Sequence, residues 1–439
     1  MFYGIDLGTT YSLIGRGDKL FTGLVCSNID TETGKEVSRD TTGKTIVSSY
    51  KKDMSMGESG DLARRCSSIV LRELADRASK VTGEEVKDVV ISVPASFTHS
   101  QRQAVRTAGL EAGLNVVGLT NEPTAGAICV CKNTKDYIIV YDLGGGTFDV
   151  SVVDARTGIY TVIDTNGLMI AGDDFDNAIL SDIYKYAKIP MISKTKIAVQ
   201  EVKWNIQKAK ENLQKVRANQ FIDISAFNSD ITGTYELTVD KYKELMKKTF
   251  IKTLDMTKTI AELNTRLADR PKIVFVGGST ACPYLREWIV KETKLEEVKT
   301  DIQPDFIVAR GVSIYAEMLE KGEAEEEVED ICPTIKIENK NGDAVTVIDG
   351  KTILPIEGEM DVQNSDETDV LHIKLYSGDS GFAAECDYIG TLEYKYDRVM
   401  DPGEGAVTVT VKIDRNGIIS LEGKEPFKNE VQKIELRMR

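Results

Sequence analysis

Asp142-Leu143-Gly144-Gly145-Gly146-Thr147-Phe148-Asp149 follows the apolar run Tyr137-Ile138-Ile139-Val140-Tyr141. The run has the length and the branched side chains of a buried strand, and the glycines make the turn after it. The same order stands once earlier, where Tyr3-Gly4-Ile5 leads into Asp6-Leu7-Gly8-Thr9-Thr10. Small residues let backbone N–H groups close around phosphate oxygens. An aspartate at the end of each strand repels phosphate and suits Mg2+ or a water instead. Two such hairpins facing one another would clamp a nucleotide from both sides. A single copy reads equally well as an ordinary β-hairpin; the repeated order is what points to a nucleotide.

Around these loops the composition sets bounds. The chain has 439 residues, 41% of them hydrophobic, and a net charge of −15. Length suggests about three domains. The acidic balance argues against nucleic acid as a partner, since no basic field replaces its counterions. Seven cysteines and two histidines, with no Cys-x-x-Cys pair, argue against zinc and suit a reducing compartment. Cys129 and Cys131 read as packing residues. The start shows no basic segment followed by an apolar one, and no run approaches membrane-spanning length. The expectation is a cytoplasmic protein without a membrane partner.

Up to about residue 320, strands and helices alternate. Val89-Val90-Ile91-Ser92-Val93 reads as a strand stopped by Pro94. Residues 100–112 read as a helix with Ala104, Val105, Ala108 and Leu110 on its apolar side, and 178–218 and 240–268 as long helices. Asn121-Glu122-Pro123 breaks a strand before the small-residue helix opened by Thr124. A third strand ends in Val276-Gly277-Gly278-Ser279-Thr280, and ligands sit where such strand ends open. Six of the eight residues 323–330 are acidic, which reads as a solvated spacer. Beyond it Val345–Ile348, Leu371–Leu375, Val407–Val411 and Ile418–Leu421 are strand-like, with turns at Asp349-Gly350, Pro402-Gly403 and Asn416-Gly417. Residues 331–439 therefore read as all-β. Trp204 and Trp288 read as helix-face packing.

On these residues the chain resembles the DnaK-type 70-kDa heat-shock chaperones over nearly its whole length. Asp6-Leu7-Gly8-Thr9-Thr10-Tyr11-Ser12 is similar to the first phosphate loop of that family, and the eight residues from Asp142 to its second. Val93-Pro94-Ala95-Ser96-Phe97, Asn121-Glu122-Pro123-Thr124, Gly172-Asp173-Asp174-Phe175-Asp176, Val276-Gly277-Gly278-Ser279-Thr280, Pro304-Asp305 and Ile413-Asp414-Arg415-Asn416-Gly417-Ile418 follow in family order. The resemblance implies an α/β fold. An actin-like two-lobed ATPase (duplicated ribonuclease-H-like) spans 1–320, with peripheral subdomains at about 27–90 and 177–260. An acidic linker at 321–330 and an all-β sandwich over 331–439, without a helical lid, complete it. Asp6, Glu122, Asp142 and Thr147 are the implied catalytic set, with Asp6 and Asp142 holding Mg2+ through water. Gly8, Thr9, Thr10, Tyr11, Gly144, Gly145, Gly146, Gly172, Lys210, Gly277, Gly278, Ser279 and Asp305 are the implied ATP or ADP contacts. Lys210 has a second reading, as a solvated helix lysine.

The departures shape the expected activity. The family carries a long insert with a lysine over the γ-phosphate; here Cys66 alone separates Arg65 from Ser67, and that lysine has no counterpart. Losing one such charge typically costs on the order of 10²–10³ in rate. Ala281 and Glu211 replace the two arginines that sandwich adenine, removing their cation–π contribution. Gly118 replaces the arginine that meets J-domain partners, and the acidic run replaces an apolar linker, so weak coupling between the two halves is expected. Lys340 and Asn364 stand for the residues arching over bound peptide, and Leu371 for its pocket. The expected function is an ATP-binding, chaperone-like protein with slow Mg2+-dependent hydrolysis, whose partner is extended or unfolded peptide or a dedicated client. The alternatives are a non-catalytic scaffold, and an actin-like filament protein or sugar kinase of the same fold.

Overall fold

The strand Phe2–Asp6 pairs antiparallel with Tyr11–Arg16 and parallel with Asp88–Val93, which in turn pairs parallel with Asn115–Asn121. The second loop sits in the same arrangement: Tyr137–Leu143 pairs antiparallel with Phe148–Asp154 and parallel with Lys272–Val276. Ile5, Ile91, Ile139 and Val140 are fully buried. Strands covered on both faces read as unbroken apolar runs, not as alternating ones. The computed structural model describes residues 1–439 apart from 56–57, 132–135, 158, 189–194, 228–232, 266–270, 324–327, 330–333, 351, 353, 379, 416, 427, 429–430 and 435–439.

The chain divides into two units, one of Met1–Asp53, Leu62–Ser96 and Thr107–Glu327, the other of Met54–Asp61, Phe97–Arg106 and Val328–Arg439. In the first unit, a core forms between the second sheet and the helices Gly172–Tyr186, Lys196–Val216 and Val239–Thr265. Aromatic rings fill it, with Phe175 stacked on Tyr242 at 5.1 Å. The single helix expected over 178–218 is two: one begins earlier, at Gly172, and the other ends when Arg217 takes a left-handed conformation (φ 53°) that no helix continues. Leu110, expected on the apolar side of its helix, is 56% exposed. Only part of the acidic run lies among the described residues, and there Val328–Glu329 forms a two-residue strand where a structureless spacer was expected.

In the second unit, two four-stranded sheets share one core. One runs Ala344–Ile348, Ile335–Glu338, Thr368–Ser377, Asp387–Met400; the other Ile356–Gln363, Ala406–Ile413, Ile419–Lys424, Gln432–Ile434. Val407, Val409, Val411 and Ile413 all point inward, as the period of two requires. The strand Ile356–Gln363 has no counterpart in the sequence reading because Glu357, Glu359 and Asp361 interrupt it. They occupy its exposed positions, where Thr410 and Thr408 donate to Glu359 and Asp361.

Candidate functional site

Asp6 ends its strand, and Asp142 stands one residue before the end of the equivalent strand in the second sheet. The turns that follow meet. A Cβ built on Gly145 would lie 2.1 Å from Thr10 Oγ1, so only glycine permits this approach. Three other segments secure the loops. The Gly172 N–H and the Ser279 hydroxyl donate to Gly144 O at 3.0 and 2.8 Å, and Ser27 Oγ donates to Gly8 O at 2.9 Å. Gly277 turns with φ 82°, where a side chain would collide with Leu143 O at 2.6 Å.

Between the loops opens a cleft of about 510 Å³. Asp6, Gly8, Thr9, Thr10, Tyr11, Glu122, Asp142, Gly144, Gly145, Thr147, Gly172, Lys210, Gly277, Gly278, Ser279 and Asp305 all line it. Gly146, also expected there, is not among the lining residues and packs against Thr9 and Lys52. Residues from seven separate stretches of sequence thus converge on one cavity within the first unit.

At the floor the structure corrects the sequence reading. A lysine is present. Lys51 Nζ donates to Glu122 Oε1 at 2.7 Å, both groups buried, and Lys51 lines the cleft with Asp6 and Asp142. It comes from the short 3-10 turn Tyr50–Asp53. Ser49 adopts a left-handed conformation (φ 55°), its hydroxyl donating to Asp173 at 2.8 Å, and buried Tyr50 anchors the turn that aims Lys51 inward. Burial opposes the Lys51 ammonium, but Glu122 and Asp6 outweigh it and raise its pKa. Burial pushes Asp6 up to about 7, reinforced by Glu122 and countered by Lys51 and by the Ser92 hydroxyl at 2.9 Å. Asp142 is raised for the same first reason, with Glu122, Asp149 and Asp6 adding to it. Asp149, a fourth carboxylate absent from the expected site list, is raised to about 6, mainly by burial. Asp6, Glu122 and Asp142 crowd one ammonium, so burial and mutual repulsion favour the neutral forms of the two aspartates, a condition a divalent cation would relieve. Among the described residues no group of three or more His, Cys, Asp or Glu is placed to hold a metal ion.

The opposite end of the cleft is built from Glu211, Lys215, Ala281 and Asp305. Lys210 is not a solvated lysine: it is buried and donates to Asp176 at 2.6 Å. Arg39 also lines this end, a guanidinium that the sequence reading did not place here. It pairs with Glu211 at 3.0 Å and donates to Tyr11 Oη at 2.7 Å and Gln207 Oε1 at 2.8 Å. Its charge centre lies 5.1 Å from the Tyr11 ring and 5.7 Å from that of Trp204, so Trp204 is a cation platform as well as a packing residue.

In the second unit the expected peptide-arching role of Asn364 is overturned. Asn364 is 4% exposed, donates to Asp366 O, Met400 O and Asp401 O, and accepts from the Gly405 N–H at 2.8 Å. It ties turns together from a buried position that does not face solvent. Leu371 is a core residue, and Lys340 is exposed. No helix among the described residues is long and apolar enough to cross a membrane. The family model described as Hsp70 protein matches residues 18–439.

Proposed function

The chain belongs to the Hsp70 protein family, and from that membership we propose a nucleotide-binding, chaperone-like protein that hydrolyses Mg2+-bound nucleotide slowly. The family binds ATP or ADP with Mg2+, and it binds unfolded peptide segments and co-chaperones. The fold we propose for this chain is the actin-like ATPase of two similar halves followed by a β-sandwich. The observation that carries the reading is the buried Lys51–Glu122 pair beside Asp6 and Asp142, at the floor of the cleft between the two small-residue loops.

In this reading Asp6 and Asp142 hold Mg2+ through water, and the ion supplies charge for the phosphate oxygens. The backbone of Gly8–Thr10 and Gly144–Gly146 binds the phosphates, with Thr147 beside the terminal one. Glu122 orients the attacking water, and Lys51 holds Glu122 in position through their hydrogen bond while presenting a positive charge to the phosphoryl group. The second unit takes extended peptide or a dedicated client. The six described cysteines are all free thiols, which fits a cytoplasmic, reducing setting.

Calorimetric titration with ATP and Mg2+ tests binding, and phosphate release tests chemistry. Asp142→Asn should abolish turnover, because the cation loses an anchoring charge. A rate unchanged in that variant would place the activity elsewhere. Binding without any turnover would favour a non-catalytic scaffold.

A further inference from the structure

A second cavity, of about 140 Å³, lies beside the first small-residue loop in the first unit. Thr9, Thr10, Arg39 and Gln207 line both this cavity and the cleft, whereas Thr42, Ser48 and Lys203 line the side cavity alone. Two carboxylates also reach it, and each has its own partners. Asp173 accepts from the Ser49 hydroxyl at 2.8 Å and faces Lys52 at 3.5 Å, and Asp176 accepts from Lys210 at 2.6 Å. Arg39 is matched by Glu211 at 3.0 Å. Lys203 has no such match. Among the described residues its ammonium makes no ion pair, and the hydroxyls of Thr9, Thr10, Thr42 and Ser48 make no hydrogen bond. The recess therefore holds one uncompensated positive charge beside four unused hydroxyls.

An oxyanion is what such a set recognises. Its oxygens accept from an ammonium and from hydroxyls, and the lysine offsets its charge. One water takes up about 30 Å³, so the cavity admits a small tetrahedral ion, and it is smaller than the roughly 300 Å³ at which larger organic ligands are accommodated. Position narrows the ion further. Thr9 and Thr10 belong to the loop that, in the reading above, binds the phosphates, and they border both cavities. While the diphosphate product still fills the cleft, the side cavity is an adjoining space into which the cleaved phosphate can move. Resting on the hydrolysis reading, we propose that the side cavity is a second anion site, which holds inorganic phosphate after cleavage through Lys203 and the hydroxyls of Thr9, Thr10, Thr42 and Ser48. Arg39, held by Tyr11 and Gln207, is part of the wall that the ion crosses.

The probe is inorganic phosphate, titrated by calorimetry into the full chain saturated with Mg2+-ADP, and again with a non-hydrolysable Mg2+-ATP analogue. Phosphate should bind in both cases, because the side cavity is not the place of the terminal phosphate. Lys203→Ala should weaken it by about tenfold or more, as the loss of a charge-assisted hydrogen bond does, and leave nucleotide affinity unchanged. In a single turnover of ATP, the same variant should shorten the interval between cleavage, read by quenched flow, and phosphate release, read by a fluorescent sensor. Phosphate that binds beside ADP and is excluded by the analogue occupies the terminal-phosphate position, and the inference falls. It falls too, with the nucleotide reading left standing, if phosphate does not bind or binds wild type and variant equally. If ATP binds and is never cleaved, the holding role falls with the hydrolysis reading, and the titrations decide the anion site. If no nucleotide binds, both readings fall. The comparison of the two nucleotides needs no variant, so a Lys203→Ala chain that fails to fold leaves it decisive.

Discussion

Lys51 carries the most weight of any single side chain here, because it restores a charge that the order of the motifs says is lost. Lys51→Met should cut phosphate release by on the order of 10²–10³ while leaving nucleotide affinity within a few-fold, as measured by single-turnover kinetics beside equilibrium titration. Equal losses in both would mean that Lys51 only supports the shape of the cleft. A second residue has its own pH signature. In the second unit, His99 is buried, and its Nδ1 lies 3.3 Å from the Ile419 N–H and 3.1 Å from Gly417 O, the first contact served by an unprotonated Nδ1 and the second by a protonated one. Burial lowers its pKa to about 4, with Arg102 adding to the effect. The native state therefore binds fewer protons than the unfolded one between about pH 4 and 6.5, and stability is lost as pH falls through that window. The full loss is about 3 kcal/mol. Protection of the Ile419 amide from hydrogen exchange, relative to the intrinsic rate at each pH, should weaken across the window, and His99→Asn, whose Oδ1 can accept the same N–H, should flatten that dependence. Unchanged protection from pH 7 to 4 would mean that His99 does not hold this contact.

At the scale of elements, short turns do the positioning. The turn Tyr50–Asp53 depends on Ser49 in a left-handed conformation, which costs most residues about 1–2 kcal/mol and β-branched ones more. Ser49→Val should misplace Lys51 and lower turnover towards the Lys51→Met rate, whereas Ser49→Gly, free of the backbone conflict, should keep most of it. Similar rates in the two would show that the Asp173 bond, lost in both, matters more than the backbone. Asn364 is the corresponding device in the second unit. It joins the end of Asp387–Met400 to the start of Ala406–Ile413. Asn364→Ala leaves a buried Gly405 N–H and three carbonyls without their partner, and should cost about 1–3 kcal/mol or more in urea unfolding. A change of only a few tenths would mean that water replaces the side chain.

At the scale of the whole molecule, each unit has its own core, one around Tyr141, Phe175 and Tyr242, the other around Leu375, Leu392 and Val409. Nucleotide should therefore stabilise the unit that holds the cleft. At a hundred times Kd, the gain is about 2.7 kcal/mol, visible in calorimetry as an upward shift of that unit's transition; no shift at saturating Mg2+-nucleotide would count against the cleft as the site. Much of this was legible in the sequence. Apolar runs closed by Asp-Leu-Gly mark buried strands and their turns, because covered strands tolerate nothing else, and the alternation in 406–413 marks a half-buried one. The family motifs add the carboxylates and glycines of the cleft. Other features became visible only once the chain was folded. Ser48-Ser49-Tyr50-Lys51-Lys52 has no periodicity, and a lysine in such a stretch reads as solvated; its role comes from one left-handed residue and from three carboxylates that arrive from distant strands and a helix. Arg39 reaches the cleft from a loop for the same reason, and Glu211 and Asp305 line the same cleft although 94 positions separate them. Periodicity and turn chemistry are local, so the sequence by itself determined the apolar strands that end in Asp-Leu-Gly and the small-residue turns after them. Charge pairing in a buried site is a property of distance through space, and only the tertiary structure decided which lysine, which arginine and which carboxylates would meet.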